Sequence, residues 1–205
     1  MTDTASGAGV AVAILAAGRG SRLAADVPKP LAELRGRPLV SWALDAATAS
    51  GLRPVVLVVG HGGGAVARAA PEGVIVVRSR WWRRGISRSL RAALEALEPW
   101  ARVGAVCVGL ADQPFVGPDA FRRLADAHKH GATLAVATYR GKRGNPVLLA
   151  RSLWAEARRL KGDVGARALM DDHHVVEVDC TDTGDPNDID TLDDLRDAER
   201  RLEAT

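Results

Sequence analysis

Apolar and polar residues come in blocks along this chain, and the spacing inside each block predicts its structure. Short, mostly apolar runs occupy residues 10–15, 55–59, 74–77, 105–110, 132–137, 146–149 and 175–178. Runs of this length, rich in valine and alanine, predict strands covered on both faces. Between them, apolar residues recur every three or four positions over 38–49, 87–97, 119–128, 153–160, 166–171 and 191–202, which predicts helices. Gly51 and Gly131 stand where two of these should stop, while Thr191, with Asp193 and Asp194 behind it, suits a helix start. Strand and helix in alternation predict an α/β fold: a single domain with a mostly parallel sheet and helices on both faces. Ligands of such sheets gather at the carboxyl ends of strands.

Two of those strand ends carry chemistry. The first leads into Leu15-Ala16-Ala17-Gly18-Arg19-Gly20-Ser21-Arg22-Leu23, a small-residue loop whose backbone N–H groups can approach an anion while its arginines supply charge. Lys29 follows, stiffened between Pro28 and Pro30. A polyphosphate ligand fits this combination. The chain contains no Walker A string, and the dinucleotide fingerprint lacks its third glycine because Leu23 stands there. Nor does an acid close the strand at 55–59; Gly60 and His61 follow it. The second strand end is Leu110-Ala111-Asp112-Gln113-Pro114, where a carboxylate could serve Mg²⁺ beside bound phosphates or merely cap a turn. Near the end of the chain, Asp188 and Asp190 precede the last helix and either join a metal site or favour its N-terminus.

Leu15 to Gly18, then Arg22, Lys29 and Gly36-Arg37-Pro38-Leu39, resemble the signature of enzymes that transfer a nucleoside monophosphate from an NTP. Gly144-Asn145-Pro146-Val147 and Gly162-Asp-Val-Gly-Ala-Arg167 narrow the likeness to the branch that nucleotidylates molybdopterin, and Ala16-Ala17-Gly18 in the first loop resembles its molybdenum cofactor cytidylyltransferases, a MobA-like group of NTP transferases. The resemblance implies a Rossmann-like nucleotidyltransferase fold, CTP as donor, molybdopterin or molybdenum cofactor as acceptor, and pyrophosphate as product. It also implies Mg²⁺ on Asp112, completed by Asp190 with Asp188 as second choice, and hand-over of the product to a molybdoenzyme. By the same likeness Arg22, Lys29 and Asp112 are catalytic. Leu15, Ala16, Ala17, Gly18, Arg22, Lys29, Gly85, Ser87 and Ser89 hold the nucleotide, and Asn145 and Arg167 hold the acceptor. Ser87 serves equally well as a helix cap. The Ala17 methyl would narrow the base pocket in favour of a pyrimidine. Ala111 departs from the pattern, since glycine often precedes the metal aspartate. Two rivals remain: a sugar-1-phosphate nucleotidyltransferase, and a non-catalytic molybdopterin carrier.

Composition adds limits. With 205 residues, 47% hydrophobic and 26% charged, one full-cored soluble domain over 10–205 is expected, behind a disordered tail at 1–9. No apolar stretch nears the roughly 18 residues that span a membrane, and no leader pattern opens the chain, so the cytosol is the expected compartment. Cys107 and Cys180 lack metal-ligand spacing, and Cys107 suits a core. The net charge is +3, densest over 78–91 where Trp81 and Trp82 interrupt arginines. That pattern also occurs on RNA-binding surfaces, but a pocket for small anions accounts for it, and no nucleic-acid partner is expected. Trp42, Trp100 and Trp154 are expected to pack, residues 171–174 to be solvated and 61–64 to turn the chain. Arg22 and Lys29 are expected in a solvent-filled cleft, where truncation costs little stability.

Overall fold

The computed structural model describes residues 9–18, 27–60 and 62–203. β1 (Gly9–Ala16) is followed by a 3-10 turn at Lys29–Leu31, a small hairpin of β2 (Glu33–Leu34) and β3 (Arg37–Pro38), and α1 (Leu39–Ala49). Next come β4 (Val55–Val59), α2 (Gly63–Arg68), β5 (Val74–Arg78), α3 (Ile86–Leu97), β6 (Val103–Leu110) and α4 (Pro118–Lys129). β7 (Leu134–Tyr139), β8 (Lys142–Ala150), α5 (Trp154–Ala157), β9 (Val176–Asp179) and α6 (Leu192–Glu203) complete the described elements.

Seven strands form one sheet in the order β5-β4-β1-β6-β8-β7-β9. β5, β4, β1 and β6 run parallel, β9 is parallel to β7, and β8 is antiparallel to both its neighbours. The reversal at β8 comes from a two-residue turn in which Arg140 and Gly141 both have positive φ, 52° and 75°. Such a turn matches the twist of a hairpin. β1 is apolar throughout because each face is covered. Val10, Val12, Ile14 and Ala16 pack with Val40 and Leu44 of α1 and Phe121 and Leu124 of α4. Ala11, Ala13 and Leu15 pack on the other face with Leu90, Leu94 and Leu97 of α3 and with Trp154. A third, smaller cluster joins Leu34, Leu39 and Ile189 to Ala198 of α6. Among the described residues no helix is long and apolar enough to cross a membrane.

Several expectations are corrected. Residues 63–68 form a helix, α2, although Gly63 and Gly64 favour a turn, because Val66 packs fully into the core. The helix expected over 153–160 is a 3-10 turn at Arg151–Leu153 plus the 4 residues of α5, and that over 166–171 is a 3-10 helix. Pro38 caps α1 rather than entering it, and β1 begins at Gly9. Trp154 is buried, but Trp100 is 46% exposed and does not pack as expected. His173 is not simply solvated: its Nε2 lies 2.9 Å from Glu156 Oε2, while Asp171, Asp172 and His174 are exposed.

One contact shapes the entrance to α3. Gly85, with φ 100°, lies so close to the 162–163 segment that a Cβ there would sit 2.1 Å from the Gly162 carbonyl oxygen. The gap is closed by hydrogen bonds, from Ser87 Oγ to Gly162 O at 2.8 Å and from Ile86 N to Asp163 Oδ1 at 3.3 Å. Gly85→Ala should therefore lower stability by about 2 kcal/mol or more, read as a fall in Tm. Gly64→Ala, facing open space in α2, is the control and should be neutral or stabilising.

Both thiols are fully buried, Cys107 on β6 and Cys180 just after β9. Burial pushes the Cys180 thiol up to about 11 and the Cys107 thiol higher still. Native protein at pH 8 should resist a thiol-reactive disulfide, and both cysteines should react once guanidinium unfolds the chain. Rapid labelling of either thiol in the native state would contradict this packing.

Candidate active site

Parallel pairing sets the ends of β1 and β6 level. Leu15 lies opposite Leu110, and Ala111 N donates to Leu15 O at 3.1 Å, extending the ladder past the strand. Ala17 and Gly18 thereby leave the sheet beside Asp112. At the end of β4, a Cβ on Gly60 would lie 2.6 Å from the Ala17 carbonyl oxygen, so only glycine lets the first loop lie flat there.

Lys29 reaches the same edge from its 3-10 turn. It is 7% exposed, with Nζ 2.5 Å from Asp112 Oδ2 and 2.6 Å from Asp190 Oδ1. Asp190 arrives because its segment is tied to the Asp112 loop. Ile189 N donates to Asp112 O at 2.9 Å, and Gln113 Nε2 donates to Pro186 O at 2.6 Å. Ile189 itself is buried against the β2–β3 hairpin and α6. Behind it the expected cap of α6 is present. Thr191 Oγ1 accepts from Asp194 N at 3.2 Å, and Asp194 Oδ2 accepts from the amides of Asp190 and Thr191 at 3.0 and 2.8 Å.

Burial pulls the Lys29 ammonium down, but the charges and hydrogen bonds of Asp112 and Asp190 outweigh it and hold the pKa above its ordinary value. Lys29 is thus charged and paired, not extended into a solvent-filled cleft, which corrects the sequence expectation. Partial removal from water, then the Asp112 charge, holds the Asp188 carboxyl above the usual range. Asp112 and Asp190 bracket one cation position, now taken by the ammonium, and offer only oxygen. That donor set suits a hard divalent cation. Among the described residues no group of three or more acids, histidines or cysteines could hold a metal, so water and substrate oxygens would have to complete its shell.

A cavity of about 690 Å³ opens against this edge, lined by Leu15, Ala17, Gly18, Gly85, Ser89 and Asp112, together with Trp82 and Asp163. Three expected residues do not line it, and one is Lys29, whose ammonium meets Asp112 at the cavity's edge. Ala16 is turned to the opposite face of β1 by the strand's period of two, and the Ser87 hydroxyl is spent on Gly162. Ser87 is not a side-chain cap of α3 either. Arg22 lies outside the described residues. A second cavity of about 540 Å³ shares Leu15, Leu110 and Asp163 with the first and brings together Asn145, Arg167, Gln113 and Asp188. Asn145 Nδ2 donates to Gln113 Oε1 at 3.1 Å. A third, about 730 Å³, continues past Arg167 and Asp188 to Arg140, Lys142 and Arg143. Gln113 and Asp163 were passed over in the sequence, although both stand inside quoted motifs. Their value depends on contacts with chain 73 and 77 positions away.

Comparison with known proteins agrees with this architecture. Rv0371c from Mycobacterium tuberculosis matches with a TM-score of 0.81 and 32% identity over 95% of this chain and 99% of that one. The same protein has been solved in complex with manganese, matching at 0.77 and 31% identity over 94% and 98%. Nicotine blue oxidoreductase of Paenarthrobacter nicotinovorans is 32% identical over 193 residues, covering 89% of this chain and 92% of its own. The bifunctional protein GlmU of Paracoccus denitrificans is 39% identical over 120 residues, 57% of this chain. The match spans only 26% of the GlmU sequence. The model of the MobA-like NTP transferase domain matches residues 12–178, spanning β1 to β9 and the strand ends that carry Asp112 and the first loop, and the chain belongs to that family.

Proposed function

We propose that this chain transfers CMP from CTP to the terminal phosphate of molybdopterin or molybdenum cofactor, releasing pyrophosphate in a Mg²⁺-dependent reaction. The family makes it an NTP transferase domain. The observation that carries the reading is the convergence of Lys29 and Asp190 on Asp112, which lines the first cavity. CTP would occupy the first cavity, with its base toward Gly85 and Ser89 and its phosphates over the amides of Ala17 and Gly18. Lys29 would exchange a carboxylate for phosphate oxygens, and Arg22 would add a second charge. Asn145 and Arg167 would orient the acceptor, with Arg140, Lys142 and Arg143 providing a positive surround.

The acceptor needs little acid–base help, because the second pKa of a phosphate monoester is about 6 and it is mostly dianionic at neutral pH. One of its oxygens attacks the α-phosphorus in line, and the bond to the bridging α–β oxygen breaks as pyrophosphate leaves. Positioning and charge neutralisation are the protein's contributions. Asp112 and Asp190 would hold Mg²⁺, which supplies neutralisation of the triphosphate charge. A cytosolic setting and delivery of the product to a molybdoenzyme belong to the same reading.

One observation favours a second reading: the likeness to nicotine blue oxidoreductase runs almost end to end. The same fold would then serve redox chemistry with a cofactor in the first cavity. The two readings separate in one assay series. CTP, GTP, UTP and ATP are each incubated with molybdopterin, molybdenum cofactor or sugar phosphates while pyrophosphate is followed, and NADH or NADPH oxidation is followed in parallel. Pyrophosphate release with CTP and a molybdopterin acceptor is the expected result. Oxidation of a nicotinamide without pyrophosphate release would replace the proposal.

Asp112→Asn should reduce turnover about 100-fold or more with the fold retained, since a charged metal ligand contributes several kcal/mol at the transition state. Addition of Mg²⁺ or Mn²⁺ with CTP should raise Tm in the wild type and not in this variant. Lys29→Ala should lose activity and also about 1–3 kcal/mol of stability, because it leaves two carboxylates facing each other without their cation. Asp190, 55% exposed at its side chain, keeps that figure toward the low end. An unchanged Tm for Lys29→Ala would mean that water replaces the ammonium freely.

Base choice is the finer test. Ala17 lines the first cavity, and one methyl is worth about 1–3 kcal/mol of discrimination. Ala17→Gly should relax preference for CTP toward GTP without reversing it, measured as the ratio of kcat/KM values. An unaltered ratio would remove the steric account of Ala17.

A further inference from the structure

Helix α3 has a second face turned away from the candidate active site. Ile86 and Ser89 line the first cavity, whereas Arg88 and Arg91 look onto a separate cavity of about 490 Å³ that also takes in Arg78, Ser79, Arg80 and Arg84. Five arginines meet there against one carboxylate, Glu95, and that carboxylate is already held by Arg91 Nε at 2.7 Å. Among the described residues Arg78, Arg80 and Arg88 have no acidic partner within salt-bridge distance. Like charges do not crowd at one place without cost unless something anionic offsets them.

A second observation is independent of the charge. Ser79 is 2% exposed, and its hydroxyl has no hydrogen-bond partner among the described residues; the buried Nε of Arg88 is likewise unpaired. Buried polar groups are nearly always satisfied, and these two unsatisfied ones line the same cavity. At its rim Trp81 is 60% exposed, with the Arg84 guanidinium 4.7 Å from its ring centroid.

We infer that this cavity is a second anion site, built for a ligand bearing a diphosphate or longer phosphate chain. Guanidinium groups are planar forks that pair two-by-two with phosphate oxygens, and several around one enclosed volume suit several phosphate charges better than a single carboxylate. The volume lies within the range of small-molecule sites. Convergence on a cavity, with one exposed aromatic ring at its rim, favours a small ligand over a nucleic-acid strand, which needs an extended track of charge and stacking rings. Among the described lining residues only Arg84 is shared with the first cavity, so the site lies apart from Lys29, Asp112 and Asp190. The inference does not depend on which reaction the first site performs.

Calorimetric titration with inorganic pyrophosphate in EDTA tests it on the full chain. Arg78 and Arg80 are exposed and have no acidic partner among the described residues, so the double variant Arg78→Ser, Arg80→Ser should fold normally, as its melting curve would verify. That variant should weaken pyrophosphate binding by about tenfold or more, while Lys29→Ala, checked for folding in the same way, should leave it within about twofold. Inorganic phosphate should bind more weakly than pyrophosphate. Loss of binding in Lys29→Ala, no effect of the arginine pair, or no binding at about 1 mM pyrophosphate would each overturn the proposal. So would a single-stranded oligoribonucleotide held more tightly than pyrophosphate through the same two arginines.

Discussion

The parallel register of β1 with β6 sets two strand ends side by side, Leu15 against Leu110, with the Ala111 amide closing onto the Leu15 carbonyl. Parallel strands both end at the same edge of the sheet, and there the backbone must turn outward and expose its polar groups. Ala17, Gly18 and Asp112 are the residues that make this turn. Gly60, at the end of the neighbouring β4, leaves room for the first loop to lie close. Sliding β6 by one residue would exchange the faces its side chains occupy and send Asp112 toward another face.

Lys29 then determines what else reaches that edge. Its ammonium joins carboxylates that lie 83 and 161 positions further along the chain. A cation sequestered from water is tolerated because two anions meet it, and the anions lie close together because the cation is there. The contact is a local stabilising interaction and also a reserve of charge, since each of its three members can pair with a phosphate or a metal instead. Its surroundings are fixed by neutral contacts: Gln113 on Pro186, Ile189 on the Asp112 carbonyl, and Ile189 in the apolar cluster with α6. The carboxylates therefore keep their positions whichever cation they hold.

α3 illustrates how one helix serves several surroundings. Leu90, Leu94 and Leu97 bury themselves against the sheet, Ile86 and Ser89 border the first cavity, and Arg88 and Arg91 border the second anion site proposed above. Three angular sectors of a helix suffice for this because side chains advance by about 100° per residue. Gly85 permits the whole arrangement, since its positive φ lets Gly162 and Asp163 close over the helix start.

The apolar runs by themselves marked the seven strands of the large sheet: β1 and β4, covered on both faces, are apolar almost throughout, while the edge strand β9 alternates Val176 and Val178 with Glu177 and Asp179. The long helices at 39–49, 86–97, 118–129 and 192–203 were legible from apolar residues recurring every three or four positions, with Gly51, Gly131 and Thr191 marking their ends. Local composition also marked Lys29, Asp112 and Asp190 as candidate chemistry. Their meeting was not legible, since it depends on a strand register and on Ile189 reaching a cluster built by the β2–β3 hairpin and α6. The short element at 63–68 was misread because fewer than two turns give periodicity too little to work with, and burial of Val66 decided it; at 166–171 the pattern gave a helix but not its 3-10 form. Ser87 and Ala16 show the same limit: a motif names residue types, but which face a side chain takes follows from the sheet's two-residue period and from a backbone carbonyl 75 positions away. Only the folded chain sets those distances, because the sequence encodes them through packing summed over many residues.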